Sequence, residues 1–166
     1  MRMKLLSLFA ASLLLAACAS ETTTTAGSAG SGAAAGGATA AAPRTGPVPG
    51  SQQDLVVNVG DRVFFDLDKS DLKPEARRTL ERQAAWLKQY GNVAVTIEGH
   101  CDERGTREYN LALGDRRAKA AANYLASLGI AANRIRTISY GKERPAVLGS
   151  NEAAWSQNRR SVTVVN

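Results

Sequence analysis

Hydrophobic and polar positions divide the chain into three regimes. Residues 5–17 form an apolar run of 13 residues. From there to about residue 53 there is no periodicity, and from residue 54 onward two clear periods set in. Residues 54–66 alternate loosely and end in "DRVFFD", which predicts a strand. In "SDLKPEARRTLERQAAWLKQYGN", Ala76, Leu80, Ala84 and Leu87 recur at helical spacing. Pro74 suits the first turn of that helix and Gly91 the position just past its end. Val93, Val95 and Ile97 alternate with Ala94, Thr96 and Glu98, predicting a second strand. A loop over residues 99–107 leads into a long helix over 108–128, which stops at Gly129. "RIRTISYG" reads as a third strand and "PAVLG" as a connector. Asn151 caps a short helical turn, "EAAWSQN", before a last strand, "RRSVTVV". The order β-α-β-α-β-β predicts an α+β fold, a two-layer sandwich with a mixed sheet and helices on one face. About 110 residues suffice for one core.

The apolar run is too short to cross a hydrocarbon core, which takes about 20 helical residues. Arg2 and Lys4 precede it and small residues close it, as in a secretory signal. Leu15-Ala16-Ala17-Cys18 resembles the bacterial lipobox, which implies cleavage before Cys18 and lipidation of that cysteine. Ala19, rather than Asp, follows it; by resemblance to enteric sorting rules this implies the outer membrane, with the domain facing the periplasm. Residues 18–53 are then a linker rich in Ala, Gly, Ser, Thr and Pro, with too few large apolar side chains to offset the entropy of ordering. Such a chain has a mean span of about 30–35 Å and a reach of about 115 Å. The expected organisation is a signal peptide over 1–17, a lipidated linker over 18–53 and a domain over 54–166.

The net charge of +6 divides into +2 for the signal and about +4 for the domain. Acids and bases alternate in the domain, without the basic, aromatic-interleaved runs of nucleic-acid binders, and export excludes that partner. With Cys18 lipidated, Cys101 is left without a disulfide partner, so the domain holds together by packing alone.

One charge breaks the pattern. With Arg117 as zero on the second helix, at about 100° per residue, Leu113, Ala120, Ala121, Tyr124 and Leu128 all lie within about 60° of it, and Asn110 falls near +20°. An arginine on a packing face stays charged and needs a carboxylate or several acceptors. Asp102, in the loop feeding this helix, is the nearest candidate. The residues alone leave two readings. In one, Asp102 and Arg117 form a structural ion pair. In the other they clamp a ligand carrying both an ammonium and a carboxylate, the latter suited to the arginine fork.

"GHCDERGTREYNLALGDRRA", "SYGKERPAVLG" and "NEAAWSQNRRSV" resemble the OmpA-like peptidoglycan-binding domain family and, within it, the peptidoglycan-associated lipoproteins, over residues 59–165. The resemblance implies a non-catalytic domain without cofactor that holds the diaminopimelate of the peptidoglycan stem peptide. Asp102 would take the ammonium and Arg117 the carboxylate. Asn110, Leu113 and the Gly99-His100 backbone would line the pocket. The "FFDLDKSDL" turn, with Phe65 and Asp66, would supply backbone donors and a wall. The family also implies the Tol–Pal system, with TolB as partner, other Tol proteins beside it, and a role in envelope integrity and cell division.

Rival readings are weaker on the residues. His100 and Cys101 are adjacent, and neighbours on an extended segment point to opposite faces, which disfavours a hydrolytic pair; His100 is expected to hydrogen-bond backbone in a loop. One histidine and one free cysteine fall short of a structural zinc site. A stator or porin relative needs a retained membrane helix or a preceding barrel. A lipid-anchored wall binder outside the Tol system stays open. Of the two arginines before the last strand, Arg159 and Arg160, one is expected to neutralise an acid such as Asp66.

Overall fold

Ser51 opens the first element. Its hydroxyl accepts from the Asp54 amide and starts a single helical turn, α1 (Gln52–Asp54), which widens into a π-helical turn over Leu55–Val59. The computed structural model describes residues 46–166; the expected signal peptide, Cys18 and most of the expected linker lie outside the described residues. The strand expected over 54–66 is therefore mostly helical, and only Arg62–Phe64 (β1) is extended. The reason is local. The buried Asp54 carboxylate accepts from the Gly50 amide, Asn58 Nδ2 and Trp86 Nε1, and Leu55 is fully buried. A helical turn satisfies all of these at once. Gly60, at φ +96°, donates to the Leu55 carbonyl and turns the chain into β1.

Six further elements fall close to expectation. Helix α2 (Pro74–Gln89) has Pro74 in its first turn and buries Ala76, Leu80, Ala84 and Leu87. Strand β2 (Val95–His100) starts and ends two residues later than read from the sequence. Helix α3 (Arg107–Ser127) is capped by the Thr106 hydroxyl, and β3 (Ile135–Gly141) follows a short 3-10 turn. Helix α4 (Glu152–Asn158) is capped by Asn151, which accepts from the Ala154 amide, and β4 is Arg160–Val165.

The sheet order is β1-β4-β2-β3. β4 runs antiparallel to both neighbours, and β2 and β3 are parallel, joined by α3 as the crossover. Helices α2 and α3 pack over the face that carries Val95 and Ile97, with Leu80, Leu87, Ala118, Ala121 and Leu125 completely buried between. Each fully buried aliphatic side chain of leucine size contributes about 1.5–3 kcal/mol.

Two consequences of this topology position the site. The C-terminal ends of β1, β2 and β3 and the N-terminal end of β4 all lie at one end of the sheet. At the opposite end of β4, Gln52 donates to the Thr163 carbonyl at 3.4 Å and accepts from the Val165 amide at 2.7 Å. Gln52 belongs to the stretch expected to be linker, yet here its side chain completes the edge of a strand.

The buried stripe of α3 is rotated from the expected one. Asn110, Leu113, Gly114, Arg117, Ala118, Ala121 and Leu125 are buried, while Ala120, Tyr124 and Leu128 are only half-buried. The rotation follows from a backbone contact. A Cβ on Gly99 would stand 1.9 Å from the Gly114 carbonyl oxygen, so two glycines let α3 lie directly on the end of β2.

Candidate functional site

That glycine contact delivers Arg117 to the open end of the sheet. Its side chain is 0% exposed. Nε donates to the Lys69 carbonyl at 2.9 Å, Nη1 to the His100 carbonyl at 2.9 Å and Nη2 to the Asp66 carbonyl at 3.0 Å. The guanidinium lies 5.2 Å from the centre of the Phe65 ring. The 65–73 loop is shaped for this contact. Asp68 sits at φ 55°, in the left-handed region, and the Lys69 amide donates to the Asp66 carbonyl. Towards Arg117 the turn supplies carbonyl acceptors, at Asp66 and Lys69, rather than backbone donors.

Arg117 and Asp102 do not pair with each other; among the described residues, Arg117 makes no ion pair. Asp102, 5% exposed, is taken by two other arginines. Arg104 donates to it from Nη2 at 2.6 Å, from Nε at 3.2 Å and from its backbone amide at 3.1 Å. Arg159 Nη1 reaches Asp102 Oδ2 at 3.4 Å. Burial works to raise the Asp102 carboxyl, but the hydrogen bonds from Arg104 and Arg159 outweigh it and hold the group below the usual carboxylate range. Burial pulls Arg117 below its ordinary value, against the attraction of Asp102.

Arg159 is buried as well, donating to the Phe65 carbonyl at 3.2 Å and pairing with Glu152 at the start of α4. It does not neutralise Asp66, whose carboxylate pairs instead with Lys73 Nζ. Neither Arg104 nor Arg159, with Glu152 and Trp155, was singled out from the sequence as part of the site. A signal existed for one: in "CDER" an aspartate two residues before an arginine is placed to accept that residue's amide. Arg159 carried only the expectation that one of two adjacent arginines turns inward.

The remaining expected residues serve mainly as supports. Asn110 Nδ2 donates to the Arg104 carbonyl at 2.7 Å and the Thr106 carbonyl at 3.0 Å, fastening the 101–106 loop. Leu113 is buried beneath, Gly99 is the helix contact, and His100 contributes its carbonyl. The His100 side chain ends a strand instead of lying in a loop. It is 2% exposed, lies against Tyr140 with ring centroids 5.6 Å apart, and has the Glu98 carboxylate at 3.4 Å from Nε2. Burial, with Arg160 and Arg144 nearby, pushes its pKa down to about 4. Cys101 donates from Sγ to the Asn110 carbonyl at 3.3 Å, and burial pushes its thiol up to about 11. Neither ring nitrogen of His100 has a hydrogen-bond partner, so the two form no thiol–imidazole pair.

Residues 64–159 match the model of the OmpA family. The chain belongs to the OmpA family. This family match begins at the end of β1 and stops at Arg159, so it encloses every residue of the site just described. Among relatives of this OmpA-family chain, the peptidoglycan-associated lipoprotein of Agrobacterium fabrum is 61% identical over 117 residues, covering 70% of this chain and 66% of the relative. That of Brucella melitensis is 61% identical over 118 residues, covering 71% and 70%. The chain thus spans about two thirds of these relatives' own length. The crystal structure of the peptidoglycan-associated lipoprotein from Burkholderia pseudomallei superposes with a TM-score of 0.62 at 40% identity, over 64% of this chain and 90% of that one.

Proposed function

We propose that this OmpA-family domain binds peptidoglycan non-covalently, through the diaminopimelate of the stem peptide, without altering it. The relatives' name, peptidoglycan-associated lipoprotein, supports the wall as ligand. The observation that carries the two-charge mechanism is the fully buried Arg117 beside Asp102, balanced by backbone carbonyls and by no carboxylate of its own. Three carbonyl dipoles accept from three of its five N–H groups without cancelling its charge. With Arg104 and Arg159 also present, the cluster carries excess positive charge and attracts a carboxylate, while Asp102 is the anion that an ammonium seeks. The zwitterionic end of diaminopimelate offers both groups. The domain performs no bond chemistry in this reading. It positions two opposite charges and lets a covalent polymer supply the mechanical strength.

The lipobox and the long polar stretch after it complete the reading. Cys18 carries the lipid, the protein is anchored in the outer membrane facing the periplasm, and the linker keeps the domain at high effective concentration near the wall. As part of the Tol–Pal system, with TolB as partner, it joins the outer membrane to the wall and supports envelope integrity and cell division.

Sedimentation with purified sacculi tests the site. Asp102→Asn removes the charge and is expected to abolish co-sedimentation with a diaminopimelate wall. It also unpairs Arg104 and Arg159 and lowers the melting temperature, so sedimentation is run at a temperature where circular dichroism shows the variant folded. A lysine-type wall, which lacks the distal carboxylate, is expected to bind poorly. Equal sedimentation with both walls rejects the mechanism.

A further inference from the structure

Asp102 has no vacant acceptor position. A carboxylate offers about four lone-pair sites, and four donors already occupy this one: the Arg104 amide and Nε on Oδ1, and Arg104 Nη2 and Arg159 Nη1 on Oδ2. An ammonium can reach it only by displacing one of these cations. The two are not equally free. Arg159 is 8% exposed at its side chain and is tied three ways, to Asp102, to Glu152 and to the Phe65 carbonyl. Arg104 is 35% exposed at its side chain and sits on the 101–106 loop. Its guanidinium lies 4.1 Å over the Trp155 ring, whose Nε1 donates to Glu103. Glu152 and Asp68 also attract Arg104, so the displaced side chain finds carboxylates close to where it now rests.

We infer that Arg104 is an internal stand-in for the ligand's ammonium: in the empty protein it occupies the Asp102 carboxylate, and binding proceeds by exchanging it for the incoming cation. The inference rests on the reading that Asp102 receives an ammonium. Arg104 is then a positioning residue that sets affinity and selectivity. It keeps a buried carboxylate paired when no ligand is present, which removes the cost of an uncompensated charge. It also raises the threshold for entry, since a neutral or anionic group cannot replace it on the carboxylate. The exchange returns part of its cost, because one charge-assisted pair replaces another. Affinity for a single stem peptide is accordingly modest, and firm attachment comes from many copies along one wall.

The test uses the full chain in detergent and a soluble stem peptide bearing diaminopimelate. Arg104→Gln keeps the backbone amide bond to Asp102 and removes the competing charge. It is expected to bind the peptide about fivefold more tightly than the parent, the equivalent of a partly exposed ion pair. In the parent, saturation with peptide is expected to shift Trp155 emission as the guanidinium leaves the ring; in Arg104→Gln that shift disappears. Asp102→Asn, measured alongside, is expected to lose binding. If Asp102→Asn loses binding but Arg104→Gln binds equally or more weakly, Arg104 is no stand-in, and the two-charge reading survives without it. If Asp102→Asn binds like the parent, the underlying site assignment falls and the exchange with it.

Discussion

Individual side chains here hold charge states unlike those they have in water. His100 is the clearest case. Its folded pKa of about 4 lies below the usual 6.5, because burial and the nearby arginines, Arg160 first, oppose protonation. Between these values the unfolded chain takes up a proton that the folded one refuses. Stability is therefore full above about pH 6.5 and falls as pH drops toward 4, by on the order of 3 kcal/mol in all. Thermal melts of the parent from pH 7 to pH 4 are expected to decline more steeply than those of His100→Asn. Cys101 moves the other way: with its thiol pushed up to about 11, almost no thiolate exists at neutral pH. Peptide mapping after iodoacetamide treatment is expected to show Cys101 alkylated only when the protein is unfolded first. Arg117 is legible in the sequence because an arginine in an apolar stripe stands out. What neutralises Asp102 is not legible there. Partners set by the convergence of three strand ends and α4 leave no mark in local periodicity, and Arg159 lies 57 residues from Asp102 along the chain.

Among the elements, the helices and the last three strands were legible, since each has a cap, a period or a stop residue. The start of the domain was not. Residues 54–59 combine Leu55, Val56, Val57 and Val59, a composition that favours a strand, yet the Ser51 cap and the triple bonding of Asp54 bend them into helix. Local hydrogen bonding to a buried carboxylate outweighed propensity. The rotation of α3 was hidden for a related reason: it depends on two glycines, one on each partner, meeting across the interface. The same contact yields an ordered pair of mutations. Gly99→Ala places a methyl 1.9 Å from the Gly114 carbonyl oxygen, where only backbone can yield. Gly114→Ala meets the Ser139 hydroxyl at 2.3 Å, a side chain that can turn aside by giving up its bonds to the Leu111 carbonyl and the Gly141 amide, and the Gly99 carbonyl stands at 3.0 Å. Urea unfolding is expected to show Gly99→Ala losing about 3 kcal/mol or more, and Gly114→Ala distinctly less. The first should also weaken sacculus binding out of proportion, because lifting α3 draws Arg117 away from its carbonyls.

For the whole molecule, the proposed anchor makes a prediction of its own. Replacing Cys18 with Ala is expected to move the protein from the membrane fraction to the soluble periplasmic fraction, measured by fractionation and immunoblotting, while the released protein still sediments with sacculi. Attachment to the wall and attachment to the membrane are then separable activities of one chain. In the proposed arrangement they also act at opposite ends of one strand. Gln52 stitches the start of the domain to β4 at Thr163 and Val165, whereas Arg159 and Asp102 lie beyond its other end. In the proposed function a pull between membrane and wall would load β4 lengthwise; β2 pairs with it over Ser161–Val165 and β1 over Arg160–Val162. Rupture in that direction demands that many rungs slide at once, instead of opening singly like the teeth of a zip. In the proposed role as a connector, a swelling envelope would load an inner strand of the sheet rather than an edge.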